Sequence, residues 1–435
     1  MRSVFLKRLR LNFLTFRFWI GFLLLLLLSV PATLISIKDY NRRLALYTTR
    51  RNADLADMKS TFIYTYLQTY LVLHRPPEPL SILAKGLGEQ FGSVAIMRGK
   101  YGPIKVTSRD RSNFLLPLSA VFDYAFLVAV VLSLMAMFLA CDTIVGEREQ
   151  GTLQLTLANT IRWYKVLLGE YGGILVSVGL PSTVAFLMVL LMISVKGTIE
   201  FDSDINLRLF LFFLYQLVFI STFVLLGLLI SSLVRSSSTA FMMAFLIWVA
   251  LAIFYPSVAA WGCRSIRPLN QIPIVNAENI MDQAHGYERF FKPIPRDATE
   301  RQKELYRNKN LEQARLLNRV LVFSPFSNFI LMAQGIARTD LGSHEWFLRY
   351  ARALEQSFIR WQDAKVRQHP LRERIYRGAF GPLDFSGMPA AEYKSEDIAS
   401  LLKRLLPAGL VLLLWNAVLF FMAYMKCVQY DPRFG

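Results

Sequence analysis

Few residues in this sequence are able to carry chemistry, and their spacing excludes most of it. The histidines His74, His285, His344 and His369 lie far apart and form no His-x-x-x-His pair, so no zinc site is expected. No Gly-x-Ser-x-Gly turn is present to expose a nucleophilic serine. No Gly-x-x-x-x-Gly-Lys-Ser/Thr loop is present either, so the chain is expected to bind no ATP itself. In the run from Gly86 to Gly92 the glycines are one residue too widely spaced for a dinucleotide fingerprint, and no strand is expected before it. What remains is a polar stretch between the apolar segments Leu116–Cys141 and Val166–Val195: Gly146-Glu147-Arg148-Glu149-Gln150-Gly151-Thr152-Leu153, then Gln154 to Leu157 and Arg162-Trp163-Tyr164-Lys165.

A charge at the bilayer centre costs about 2.5–3.5 kcal/mol, so this stretch belongs in water. Glu147–Leu157 is long enough for about three helical turns, with Leu153 and Leu157 on one face. Glu147, Arg148 and Glu149 are expected to open that helix, with the acids near its positive end. Physics alone leaves two readings, a docking helix for another protein or an ordinary solvated loop. The run Glu-Arg-Glu-Gln-Gly-Thr-Leu, followed by Arg162 and Leu168-Gly169-Glu170, resembles the signature after the second span of type-2 ABC exporter permeases. The resemblance implies that this segment is the coupling helix seated in a cleft of a separate ATP-hydrolysing subunit. It implies docking roles for Glu147, Arg148, Glu149, Gly151, Thr152, Leu153 and Leu157. Position 170 carries Glu where that family usually has Lys, which alters the local salt-bridge pattern.

The remaining chain must position this stretch. A 54% hydrophobic content and a mean hydropathy of +0.37 over 435 residues point to a polytopic membrane protein. The net charge of +18 is no nucleic-acid stripe. Loop Lys38–Pro117 has 13 Lys and Arg against 6 Asp and Glu, and Gly262–Leu402 has 21 against 16, so mixed signs on two long loops supply 12 of those charges. Cys141 and Cys427 fall at span ends on one side and Cys263 on the other, so no disulfide framework is expected.

In chain order, residues 1–17 form a basic interfacial helix facing anionic inner-leaflet lipids. A cleaved signal peptide would share its order, but the apolar run Phe18–Ile37 is long enough to span and no small-x-small cleavage site follows. The expected six spans are 18–37, 118–142, 166–195, 207–233, 239–261 and 403–426. They are joined by an outer region at 38–117, the inner segment 143–165, an outer turn at 196–206, an inner turn at 234–238 and a second outer region at 262–402. The tail 427–435 lies inside. Asn41–Leu73, Thr299–Val320 and Ser343–Arg367 read as helical, the last with Ser343 as N-cap and an apolar stripe of Trp346, Tyr350 and Leu354. Asp123, Gln216 and Asn416 are polar within spans and are candidates for a translocation path; a helix-terminal acid in interfacial water is the other reading of Asp123.

The segment Arg75–Gly92 resembles the first outer loop of permeases related to those of nitrous-oxide-reductase maturation and gliding motility. The later order of long helix, Ser324-Pro325, short helix, Thr339-Asp340 and a helix carrying Phe347 resembles their outer domain. The expected fold is therefore an all-α polytopic inner-membrane protein with both termini cytoplasmic and two mostly helical extracytoplasmic regions. The expected function is that of an ABC exporter permease, without enzymatic activity or cofactor of its own. ATP and Mg would be bound by two copies of a partner ATPase, and a second permease chain, identical or related, would complete the channel. A membrane anchor or mechanical transmitter acting on an extracytoplasmic partner is the alternative.

Overall fold

The computed structural model describes residues 2–60, 69–86, 92–99, 104–107, 123–152, 163–266, 309, 311–368 and 385–429. Six helices are long and apolar enough to cross a membrane, and the protein is an all-α polytopic membrane protein. A short helix α1 (Arg2–Leu14) leads into α2 (Phe16–Ser60), which carries the first span. The other spans lie in α3 (Tyr124–Glu149), α4 (Trp163–Val195), α5 (Ser203–Leu233), α6 (Ser237–Ile266) and, further along the chain, α9 (Ile398–Val428).

The spans are not equivalent. In its most apolar window α3 is 78% buried, against 11% for α6 and 17% for α9, which makes α3 the central pillar and leaves the other two at the periphery. The contact between α3 and α5 is close because Gly227 offers no side chain. A Cβ there would lie 2.6 Å from the Ala140 Cβ and 2.8 Å from the Met137 carbonyl oxygen. Small residues permit such approach between membrane helices, where packing rather than the hydrophobic effect drives association. Single π turns interrupt α3 at Val128–Leu132 and α6 at Ala250–Phe254.

Two elements differ from the sequence expectation at the far end of the bundle. Residues Leu71–His74 (β1) are a strand rather than the end of a helix. They pair antiparallel with Val94–Met97 (β2), which pairs with Lys105–Thr107 (β3). The run Leu71-Val72-Leu73 has strand-forming side chains and finds its hydrogen-bond partners across the sheet, so tertiary pairing overrides helix continuation. Leu71, Leu73, Ala95 and Met97 pack on α8 (Leu341–Gln368) through Phe347, Ala351, Phe358 and Trp361, forming a second core apart from the bundle. The fully buried stripe of α8 is thus one residue round from the expected one, of which Tyr350 and Leu354 pack half-buried against the same core. Trp346 and Tyr350 instead donate to the carbonyls of Lys394 and Glu392, at 3.2 and 2.7 Å. Asp340, not Ser343, caps this helix, accepting from the amides of Ser343 at 3.1 Å and Gly342 at 3.3 Å.

The second difference is α7 (Pro325–Ile336), which the sequence placed outside with the rest of 262–402. Phe329 stacks on Phe219 with ring centres 4.3 Å apart, and Asn328 donates to the Ala408 carbonyl at 3.0 Å. The Trp415 indole reaches the Phe323 carbonyl at 2.9 Å. Phe219 lies 16 residues into α5 and Trp415 17 residues into α9, so the chain before α7 dips about 25 Å along these helices. Its length of 12 residues and its apolar character suit a re-entrant helix, too short to span. Ser324 and Asn328 satisfy the non-helical backbone at that depth through the carbonyls of Leu251 and Val322, at 3.3 and 2.8 Å.

Candidate functional site

At the other end of the bundle, α3 does not stop at Cys141. It turns at Asp142 and runs on through Thr143–Glu149. Ser231 on α5 fixes this extension, its Oγ accepting from the amides of Ile144 and Val145 at 2.9 and 3.1 Å. Glu147, Arg148 and Glu149 therefore close a helix rather than open one. The physical reason lies on both sides of them. The apolar residues Ile144 and Val145 carry the helix on from the span, and Gly151 at φ +70° takes the left-handed conformation that ends it. A Cβ on Gly151 would meet nothing within 4 Å, so the requirement there is conformational rather than steric.

Acids at a helix C-terminus face its negative end, so each needs a compensating partner. Glu147 is buried and takes Lys7 Nζ at 2.7 Å, with Arg8 Nη2 at 3.6 Å. Arg8 reaches on to pair with Glu170 at the start of α4 and donates to the Thr143 carbonyl at 3.2 Å. Arg148 Nη1 donates to the Val234 carbonyl at the end of α5, at 3.1 Å. Exposed Glu149 accepts from the Ser237 amide at 2.9 Å and its hydroxyl at 2.5 Å, at the start of α6. On the flank, Arg17 pairs with Asp142 at 3.3 Å and lies 4.2 Å from the Phe241 ring centre. Glu149, Gln150 and Gly151 form the solvent-facing tip. Leu153 and Leu157 lie outside the described residues, as does Arg162.

The structure thus gathers residues that sequence reasoning kept apart. The expected interfacial helix α1 is packed along α4, where a Cβ on Gly173 would come within 2.9 Å of the Arg8 Cβ. The signal was present in two halves: a basic arm without acids, and Glu170 where a cation is usual. Ser231 and Ser237 carried no signal in the sequence.

The three path candidates have intramolecular partners. Asp123 caps α3, accepting from the amides of Phe126 at 2.8 Å and Lys85 at 2.7 Å. Gln216 is fully buried and donates to Ser182 at 2.5 Å and Tyr124 at 3.2 Å. Asn416 donates to Thr222 at 2.8 Å and accepts from Ser221 at 2.5 Å.

Six apolar helices and a tied, charged turn at the bundle end define a polytopic membrane subunit. The chain matches the family described as ABC-2 family transporter protein over residues 11–431, and it belongs to that family. It is accordingly the membrane-spanning permease subunit of an ABC transporter, a type of subunit that is not itself an enzyme and works with an ATPase partner. No curated protein matches the chain.

Proposed function

We propose that this permease belongs to an exporter of the inner membrane, with both termini cytoplasmic, and that the turn at Glu149–Thr152 is where the ATPase pushes. The observation that carries the reading is the density of ties on one short stretch. Through Ile144, Val145, Glu147, Arg148 and Glu149, the end of α3 is bonded to α1, to α5 and to α6, and Arg8 extends the network to α4. A displacement of the tip is therefore felt by four spans and the N-terminal helix at once, a contiguous network of the kind that transmits coupling. Two ATPase subunits and two permease chains, identical or related, would complete the machine. ATP binding would close the ATPase pair and rock the bundles between two states with differential contacts. Glu147 then acts as an internal tie, and Glu149, Gln150, Gly151 and Thr152, with Leu153 and Leu157 beyond them, form the docking surface.

The test is co-purification of the ATPase in detergent with Glu149→Lys and with Gln150→Glu plus Thr152→Glu. Association is expected to fall about tenfold or more, the size of a lost charge-assisted contact. Association at the wild-type level in both variants overturns the docking assignment. The second core around β1, β2 and α8 favours a mechanical role on an extracytoplasmic partner as the alternative. ATP-dependent movement of a substrate into vesicles separates the two.

A further inference from the structure

At the end of the bundle opposite Glu147, a cavity of about 120 Å³ opens between α2, the segment around Pro76, and the turn after α7. Five cations line it, Arg43, Arg50, Arg75, Lys85 and Arg338, against one lining acid, Glu78. Acids behind the wall neutralise some of these. Asp39 takes Lys85 at 2.7 Å and Arg43 at 3.1 Å, and Asp204 takes Arg338 at 2.9 Å. Asp54 holds the neighbouring His74 at 2.7 Å. Among the described residues Arg50 and Arg75 form no ion pair, although Arg75 attracts the buried Glu78 carboxyl. Arg50 makes no hydrogen bond or ion pair among the described residues. Arg75 is 9% exposed, and among the described residues its side chain makes one hydrogen bond, to the Arg338 carbonyl at 2.8 Å.

Two further features fit an anion. Arg338 is 4% exposed, its Nε lacks a hydrogen-bond partner, and its backbone sits at φ +57°, a conformation costly for a residue other than glycine. Glu78, the one lining acid, is drawn to Arg208 behind the wall at 3.7 Å, and burial pushes its carboxyl above the usual range against the pull of Arg75, Arg208 and Arg338. Buried guanidiniums in excess of their acids are expensive, and an incoming anion would reduce that cost.

Depth narrows the choice of anion. Along α2, Arg17 is paired at the inner end and Asp39 at the outer, 22 residues apart, or about 33 Å, close to the hydrocarbon thickness of about 30 Å. Arg43 lies one turn further out and Arg50 about three, in the layer of the lipid phosphates and just beyond it. We propose that this cavity binds a phosphate group, carried either by a phospholipid of the adjacent leaflet or by a small phosphorylated solute. The site is separate from the ATPase-docking turn, and the test below does not involve the ATPase.

The experiment uses the full-length protein in a neutral maltoside detergent, with thermal unfolding and intrinsic fluorescence followed against three probes. These are dihexanoyl phosphatidylglycerol, inorganic phosphate, and dihexanoylglycerol as the phosphate-free control. The first, or the first two, should raise the melting temperature saturably, and the control should not. Binding of the lipid alone assigns the site to a headgroup, and binding of inorganic phosphate as well assigns it to a soluble phosphate. Arg50→Gln should weaken that binding about tenfold or more while leaving the unliganded melting temperature unchanged, because Arg50 supports nothing else. Arg75→Gln should weaken it similarly. No saturable response to either phosphate probe, or wild-type affinity in Arg50→Gln, overturns the proposal.

Discussion

Arg8 and Glu170 show how one unusual residue is explained by another far away in sequence. Glu170 stands where the family resemblance implies a cation, and the structure gives it one from α1. Both side chains are nearly out of solvent, at 10% and 5% exposure, so removing one partner strands the other. Arg8→Ala should destabilise the folded protein by about 3–5 kcal/mol, the cost typical of breaking a buried pair from one side. Replacing both with apolar residues of similar volume should recover most of that, and thermal melts of the single and double variants in detergent would show it. Equal losses in the single and double variants would mean that Arg8 acts through Glu147 or Thr143 instead. At this scale the sequence was half legible. The charged residues between the second and third spans stand out in any apolar chain, but the partners of Glu147 lie in α1 and those of Arg148 and Glu149 at Val234 and Ser237, and spacing alone does not name them.

Among the elements, the spans were the legible part, because about twenty apolar residues in a row leave little alternative. The errors fall where tertiary contact decides. The acids of Glu147–Glu149 read as a helix start until Gly151 is seen in the left-handed region, a conformation the sequence permits without requiring. The short apolar helix α7 looked like part of an outer domain because no 12-residue run can span, yet its phenylalanines belong to the bundle core. Within the contact between α3 and α5, a Cβ is poorly tolerated at Gly227, which is pressed against the backbone of α3. Gly227→Leu should cost about 1–3 kcal/mol through overpacking, or prevent assembly of the bundle, with yield and melting temperature as the readout. Gly262→Leu, where a Cβ meets nothing within 4 Å, is the matched control and should change neither.

For the whole molecule, the proposed orientation follows from which end carries the turn proposed to dock the ATPase. In a background without the native cysteines, Gln150→Cys should resist a membrane-impermeant maleimide in intact spheroplasts, and Thr49→Cys should react. The reverse pattern would place the docking turn outside and remove the machine proposed above. The cationic cavity lies at the end expected to be labelled, so the same experiment fixes the leaflet it faces.

The unbroken α2 joins these two ends. Its 45 residues make a helix of about 67 Å, anchored near its N-terminal end by Arg17 on Asp142 and carrying Arg43 and Arg50 on the cavity wall. Pivoted at Phe16, a tilt of about 5° sweeps Ser60 through about 6 Å. A stroke too small to open any passage at its base is thus magnified along the helix, to about 4 Å at Arg43–Arg50 on the cavity wall.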